Sequence, residues 1–339
     1  MKKLICFLLA VIMVVSLAAC ESAKTETKGE TNTSVSYPLT VTDQAGREVT
    51  IKSEPKKIIS GYYISTSVLI ALDLDEKMVG IESKAEKRAI YKLASPELLN
   101  LQQVGTAKEL DIEACVALEP DLLILPIKLK SVISTLEELG LTVIFVDPEN
   151  QEKLNSMIEL IGTATNKNKE AESLLGFISN QQSYLTETLK SETAPTVYLA
   201  GNSSLLSTAG ENMYQSDMIR LAGGVNVANE IEDDYWSEID YEQLLAWNPE
   251  YIILAADASY TVEDVLSDPN LSSVEAVKNG NVYIVPNNAE AWDSPVPSSI
   301  LGAIWLSNIL HPEKVSNDEC LTRINNYYET FYNFTYSEK

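Results

Sequence analysis

The chain has 339 residues, 45% of them hydrophobic, enough for two domains with sizeable cores. Its 25 basic against 49 acidic residues give a net charge of -24, which disfavours nucleic acid as a partner because phosphates are met by clustered Lys and Arg. The single histidine, His311, excludes imidazole-built zinc or manganese sites and any Ser-His or Cys-His pair that does not use it. Beside Pro312 at a helix end, it reads as a cap or turn residue without a functional role.

Residues 1–20 follow the plan of an export signal: Met1-Lys2-Lys3, an apolar run from Leu4 to Val15, then small residues. Leu17-Ala18-Ala19-Cys20 resembles a bacterial lipobox, in which Cys20 carries lipid and becomes the first mature residue. Residues 21–38 are largely Thr, Glu, Lys and Ser, the composition of a flexible tether. The expectation is a body held outside the cell membrane on a lipid anchor. Of the four cysteines, Cys6 leaves with the signal, Cys20 takes the lipid, and Cys115 and Cys320 are expected as buried thiols.

In chain order, Leu39–Ile51 alternates around Ala45-Gly46 and predicts a β-hairpin. A strand over Lys57–Ser60 follows, then a helix over Ser65–Leu72, a strand over Met78–Glu82 and a loop and helix from Lys84 to Asn100. Helices over Val132–Leu139 and Leu154–Thr163 flank a strand at Val143–Val146. Asn166–Lys190 has helical phasing throughout and predicts one long helix. Beyond Pro195 the alternation restarts with strand Thr196–Leu199 and helix Met213–Leu221, then helix Val262–Leu266 and strand Val282–Val285. Helices over Ser298–Leu310 and Asn317–Asn333 close the chain. Strands alternating with helices predict parallel, helix-covered sheets.

The most informative segment occurs twice, as Asp111–Leu125 and as Asp240–Leu254, with six of fifteen positions identical. Each copy reads as an Asp cap, two apolar-faced turns, a proline that ends the helix and a short buried strand. Such a unit cannot bury its own apolar face, so each copy belongs to a separate α/β layer structure. Two similar lobes make a cleft, and a cleft points to ligand capture.

These residues resemble the lipoprotein substrate-binding subunits of bacterial ABC importers for iron–siderophores and cobalamin. The likeness runs from about Leu39 to the end. It is carried by Pro55–Ile59, Leu69–Gly80, both repeat copies, Ile219–Val227, Ala276–Tyr283 and Trp292-Asp293-Ser294-Pro295. The resemblance implies an α/β fold of two Rossmann-like βα lobes, each a helix-covered, mainly parallel sheet, joined by one long α-helix with the ligand cleft between them. The lobes would span 39–164 and 192–339, with the connecting helix at 165–191. It also implies no enzymatic activity and no cofactor, a ferric siderophore or similar metal chelate as ligand, and an ABC permease dimer as partner. Cobalamin, haem and nickel chelates are alternatives. An exported chelate-processing enzyme or a surface sensor on the same fold is a more distant reading.

In open α/β sheets, ligands sit beyond the carboxyl ends of strands. Those positions hold Tyr62, Tyr63, Lys84, Arg88, Tyr91 and Lys128 in the first half, with Lys87, Lys92 and Lys130 nearby. The second half offers Tyr235, Trp236, Asp257, Tyr260, Trp292 and Asp293, with Asn202, Asn287 and Glu290 beside them. Arg88 and Tyr91, three apart, are expected to share a helix face and hold an anionic chelate. Tyr and Trp suit a bulky, partly apolar ligand. Trp247 and Trp305 fall in core phasing. Only four arginines occur in the chain, which weakens a tricatecholate reading. Glu113 and Glu242 occupy the same repeat position; one alone reads as a first-turn carboxylate favoured by the helix dipole. The family uses one glutamate per lobe at this motif position to meet arginines on the permease subunits. No residue is assigned as catalytic or as a ligand to a resident metal.

Overall fold

A computed structural model describes residues 35–233 and 235–337. The signal, Cys20 and most of the tether lie outside the described residues. The last residues assigned to the tether are part of the body: the Val35 N–H donates to Asn166 Oδ1 at 2.8 Å and the Tyr37 hydroxyl to the Ala164 carbonyl at 3.1 Å.

The hairpin forms as expected, β1 (Leu39–Thr42) against β2 (Glu48–Ile51). Strands β3 (Ile58–Ser60), β4 (Met78–Ile81) and β5 (Gln102–Gln103) follow, then a ribbon of β6 (Gly105–Thr106) and β7 (Glu109–Leu110). Next come β8 (Leu122–Pro126) and β9 (Val143–Val146). Five of these strands form a parallel sheet in the order β5-β4-β3-β8-β9. The helix expected between Lys84 and Asn100 is broken into a 3-10 turn at Ala85–Lys87, a helix at Ala89–Ala94 and a second 3-10 turn at Pro96–Asn100. Pro96 has no N–H to continue the ladder.

After the long helix, Asn168–Leu189, come β10 (Thr196–Ala200), β11 (Ser207–Thr208), β12 (Val225–Asn226), β13 (Ser237–Glu238), β14 (Tyr251–Leu254) and β15 (Val282–Ile284). They form a second sheet in the order β13-β11-β10-β14-β15, with β12 also on β10. The edge pairings of β11 and β13 are antiparallel. Two-residue strands carry no readable period, so the sequence pattern passed over them.

The repeat is structural as well as sequential. Asp111 accepts from the Ala114 N–H at 2.9 Å and Asp240 from the Gln243 N–H at 2.8 Å. Each helix then ends on a left-handed residue, Glu119 (φ 49°) and Asn248 (φ 44°), before its proline. The following carboxylates do matching work. Asp121 accepts from the N–H groups of Lys56 and Lys57, and Glu250 from that of Thr196, so each tethers the first strand of its own sheet.

Period-two alternation divides the core into three layers. Ile59, Leu123 and Leu125 face one outer cluster with Cys115; Tyr198, Ala200, Ile252 and Leu254 face another with Leu244. Their strand neighbours Ile58, Leu122, Ile124, Val197, Leu199 and Ile253 point the other way, into one layer shared by both sheets. That layer also takes Leu174, Ile178 and Leu185 of the long helix and Tyr327 and Tyr328 of the final helix, Asn317–Tyr332. The two halves therefore own separate sheets and outer cores but are braced through a common middle. Cys115 and Cys320 are reduced and buried.

Candidate functional site

Strands β3, β8 and β9 of the first sheet and β10 of the second end on one cavity of about 330 Å³. Tyr62 and Tyr63 reach it just beyond β3, Lys128 beyond β8, Glu149 beyond β9 and Asn202 beyond β10. Met213, Tyr214, Gln215, Tyr235, Trp236, Asp293, Ser294 and Pro295 complete the second half's wall. A smaller chamber of about 100 Å³ shares Tyr63 and Ser294 with it. Ser67, Lys87, Arg88, Asp257, Asn287 and Glu290 lie on that chamber's lining.

The tyrosine pair is held from beneath. The Tyr62 carbonyl accepts from Ser65 Oγ at 2.7 Å, Ser60 Oγ at 3.0 Å and the Thr66 N–H at 3.0 Å. Thr66 Oγ1 in turn donates to Glu82 Oε2 at 2.7 Å, and the Tyr91 hydroxyl donates to Glu82 Oε1 at 2.6 Å and to the Tyr63 carbonyl at 3.3 Å. The rings of Tyr62 and Tyr63 meet edge to face at 5.1 Å, and the Arg88 guanidinium sits 4.0 Å over the Tyr63 ring. Burial raises the pKa of both phenols, so they face the cavity as neutral hydroxyls able to donate and accept.

In the second half, Gly201 makes room for Trp236: a Cβ there would lie 2.9 Å from the indole Cε3. Asp293 Oδ2 accepts from the Ala256 N–H at 3.1 Å, yet the residue is almost fully buried. Desolvation outweighs that bond and raises its pKa from 3.8 to about 6. Glu290 joins the halves directly. Its buried carboxylate accepts from Ser67 Oγ of the first half at 2.5 Å and from Ser298 Oγ of the second at 2.6 Å. Burial raises its pKa, while the nearby Arg88 charge works to lower it.

Of the expected ligand contacts, Tyr62, Tyr63, Lys128, Tyr235, Trp236 and Asp293 line the larger chamber, and Arg88 and Asp257 the smaller. Four do not reach either lining. Tyr91 is fully buried with its hydroxyl on Glu82, because Arg88 is the extended N-cap (φ -88°, ψ 110°) of the helix and the two share no helical face. Trp292 is 1% exposed and its Nε1 donates to the Tyr328 hydroxyl at 2.8 Å, so it is core. Lys84 is exposed in a left-handed conformation (φ 69°), and the Tyr260 hydroxyl donates to the Gly201 carbonyl at 2.8 Å. Sequence reasoning missed Glu149, Tyr214, Gln215 and Ser67. Glu149 obeys the strand-end rule and was there to be found; the others are set by tertiary packing.

Glu113 and Glu242 are both exposed, each the second residue of its capped helix. The one grouping of His, Asp, Glu or Cys side chains close enough to surround an ion among the described residues, Glu192, His311 and Glu313, lies away from both chambers. There the Lys314 ammonium already pairs with Glu192 at 2.9 Å.

This arrangement has close counterparts. Residues 58–289 match the family model described as periplasmic binding protein. The chain belongs to the periplasmic binding protein family. It is similar to the molybdate-binding protein MolA of Haemophilus influenzae, 25% identical over 323 residues that cover 87% of this chain and 91% of MolA. The molybdate-bound MolA structure matches with a TM-score of 0.76 at 24% identity, over 88% of this chain and 99% of that one. An ABC transporter substrate-binding lipoprotein of Bacillus subtilis, YvrC, is 26% identical over 289 residues, 82% of this chain and 87% of its own. A vitamin B12-binding protein of Salmonella choleraesuis is 24% identical over 222 residues, 65% of this chain and 80% of that one. The protein is thus an extracytoplasmic substrate-binding component of an ABC importer, and not an enzyme. No helix among the described residues is long and apolar enough to cross a membrane.

Proposed function

We propose that this binding protein captures a compact metal chelate of neutral or positive charge, a ferric hydroxamate-type siderophore foremost, and delivers it to its permease. One observation carries the reading: the cavity between the strand ends has aromatic walls and no surplus of positive charge. Tyr62, Tyr63, Tyr214, Tyr235 and Trp236 surround it, while Lys87, Arg88 and Lys128 are set against Glu149, Asp257, Glu290 and Asp293. Lys128 lies 3.6 Å from Glu149. A multiply anionic ligand would meet as much repulsion as attraction there, whereas aromatic faces and neutral hydroxyls suit a chelate with a greasy rim. A volume of about 330 Å³ sits at the lower end of the range of roughly 300–1,000 Å³ for small-molecule sites, so in this reading the cavity grips the metal centre and one face of the chelate while the rest stays at its open mouth.

In this reading residues 39–164 and 192–339 are the two lobes and 165–191 the brace between them. Glu113 and Glu242 dock on the two permease subunits, and Cys20 carries the lipid that keeps the protein beside them. A small oxyanion is the competing ligand, favoured by the likeness to MolA and by Lys87 and Arg88 on the smaller chamber. Tryptophan fluorescence decides between them, because Trp236 stands in the wall. Titration with a ferric trihydroxamate should give saturable quenching that is lost in Trp236→Phe. Tighter saturation by molybdate, or by a ferric tricatecholate, would defeat the proposal; cobalamin, haem and nickel–histidine complete the panel.

A further inference from the structure

The two repeat helices share more than a glutamate. Val116 and Leu245 occupy equivalent positions, each three residues after Glu113 or Glu242, and so on the same helical face as that carboxylate. They are among the few large apolar side chains left in solvent, exposed to 38% and 37%. Exposed apolar residues scattered singly are ordinary and need no explanation. Here the same exposure recurs at the same phase in both copies, whereas the neighbouring position is buried in both, as Cys115 and Leu244. Ala117 and Ala246, identical and exposed, follow and leave the backbone open to close approach.

We infer that the docking unit on each half is a carboxylate–aliphatic pair, Glu113 with Val116 and Glu242 with Leu245. This rests on the reading above that the two glutamates meet the permease. The partner it fits presents the same feature twice, a basic side chain beside an aliphatic socket, once on each of two equivalent subunits. Charge complementarity sets approach and orientation; the apolar contact adds a component that salt does not screen.

The test uses the full protein, without added ligand, binding its permease–ATPase complex in nanodiscs at about 0.05 and 0.5 M salt. Val116→Ser and Leu245→Ser should each weaken the complex about fivefold, since each buries part of one aliphatic side chain, and together about 25-fold. That loss should be equal at both salt concentrations, while the loss from E113Q/E242Q should shrink at high salt. Unaltered thermal unfolding and an unaltered titration with a ferric trihydroxamate guard against damage to the fold. If E113Q/E242Q weakens the complex but V116S/L245S does not, the pair is wrong and docking through the glutamates stands. If neither weakens it, the docking reading fails, and the pair with it. Self-association of the protein in sedimentation that V116S/L245S abolishes would assign this face to a second copy and overturn the inference.

Discussion

Asp293→Asn should stabilise the protein by an amount that grows as pH rises from about 4 to about 7. Asp293 is 3% exposed and its pKa is raised to about 6 by burial, with the Asp257 charge adding to the rise and the Ala256 N–H opposing it. In the unfolded chain the group returns to about 3.8. Between those values the folded protein keeps a proton that the unfolded chain has released, so stability falls as pH rises through that window. The full gap corresponds to about 3 kcal/mol, absent below about pH 4 and complete above about pH 7. Asparagine keeps an oxygen for the Ala256 N–H and removes the charge. Urea unfolding of both proteins at a series of pH values, followed by tryptophan fluorescence, gives the difference directly, and titrations common to both cancel. Asp293→Asn should gain about 3 kcal/mol between about pH 4 and pH 7.5 relative to wild type. A difference that is constant across that range would refute the reasoning, because Asp293 would then carry no desolvation penalty.

Other outcomes follow from the same contacts. Tyr91→Phe removes a donor from the buried Glu82 carboxylate and should cost about 1–3 kcal/mol in urea unfolding, more at pH 8 than at pH 4 because the lost bond favours the ionised form. Trp236→Ala should chiefly weaken chelate binding, about tenfold in a fluorescence-independent titration, with a smaller loss of stability because the ring also packs on the core. Trp292→Phe should do the reverse, lowering stability by about 1–2 kcal/mol through the lost bond to Tyr328 without altering affinity.

The features legible in the sequence are those set locally. Asp111 and Asp240 cap, Pro120 and Pro249 stop, and period-two strands follow, so the duplicated unit and the long helix emerge from the residues alone. The strand-end rule also brought Tyr62, Tyr63, Lys128 and Asp293 to the cavity. It failed where direction depends on the backbone of a single residue. Arg88 is extended rather than helical, so the spacing to Tyr91 has no helical meaning. Trp292 and Asp293 are adjacent, yet one is turned into the Tyr328 cluster and the other onto the cavity wall. The shared middle layer was equally hidden, because alternation shows that a strand has two buried faces but not which neighbour covers each. The role of Glu82 is hidden for a related reason. A lone glutamate at a strand end reads as solvated until Thr66 and Tyr91 are seen to surround it. Glu290, though its position falls beside the candidate cleft, gives no sign in the sequence of its partners Ser67 and Ser298.

Anomalous scattering at the iron edge, from crystals grown with a ferric trihydroxamate, tests the central claim most directly. The expected result is one iron peak in the cavity bounded by Tyr62, Tyr214 and Trp236. A peak at Glu192, His311 and Glu313 instead, or none in crystals soaked to saturation, would contradict it.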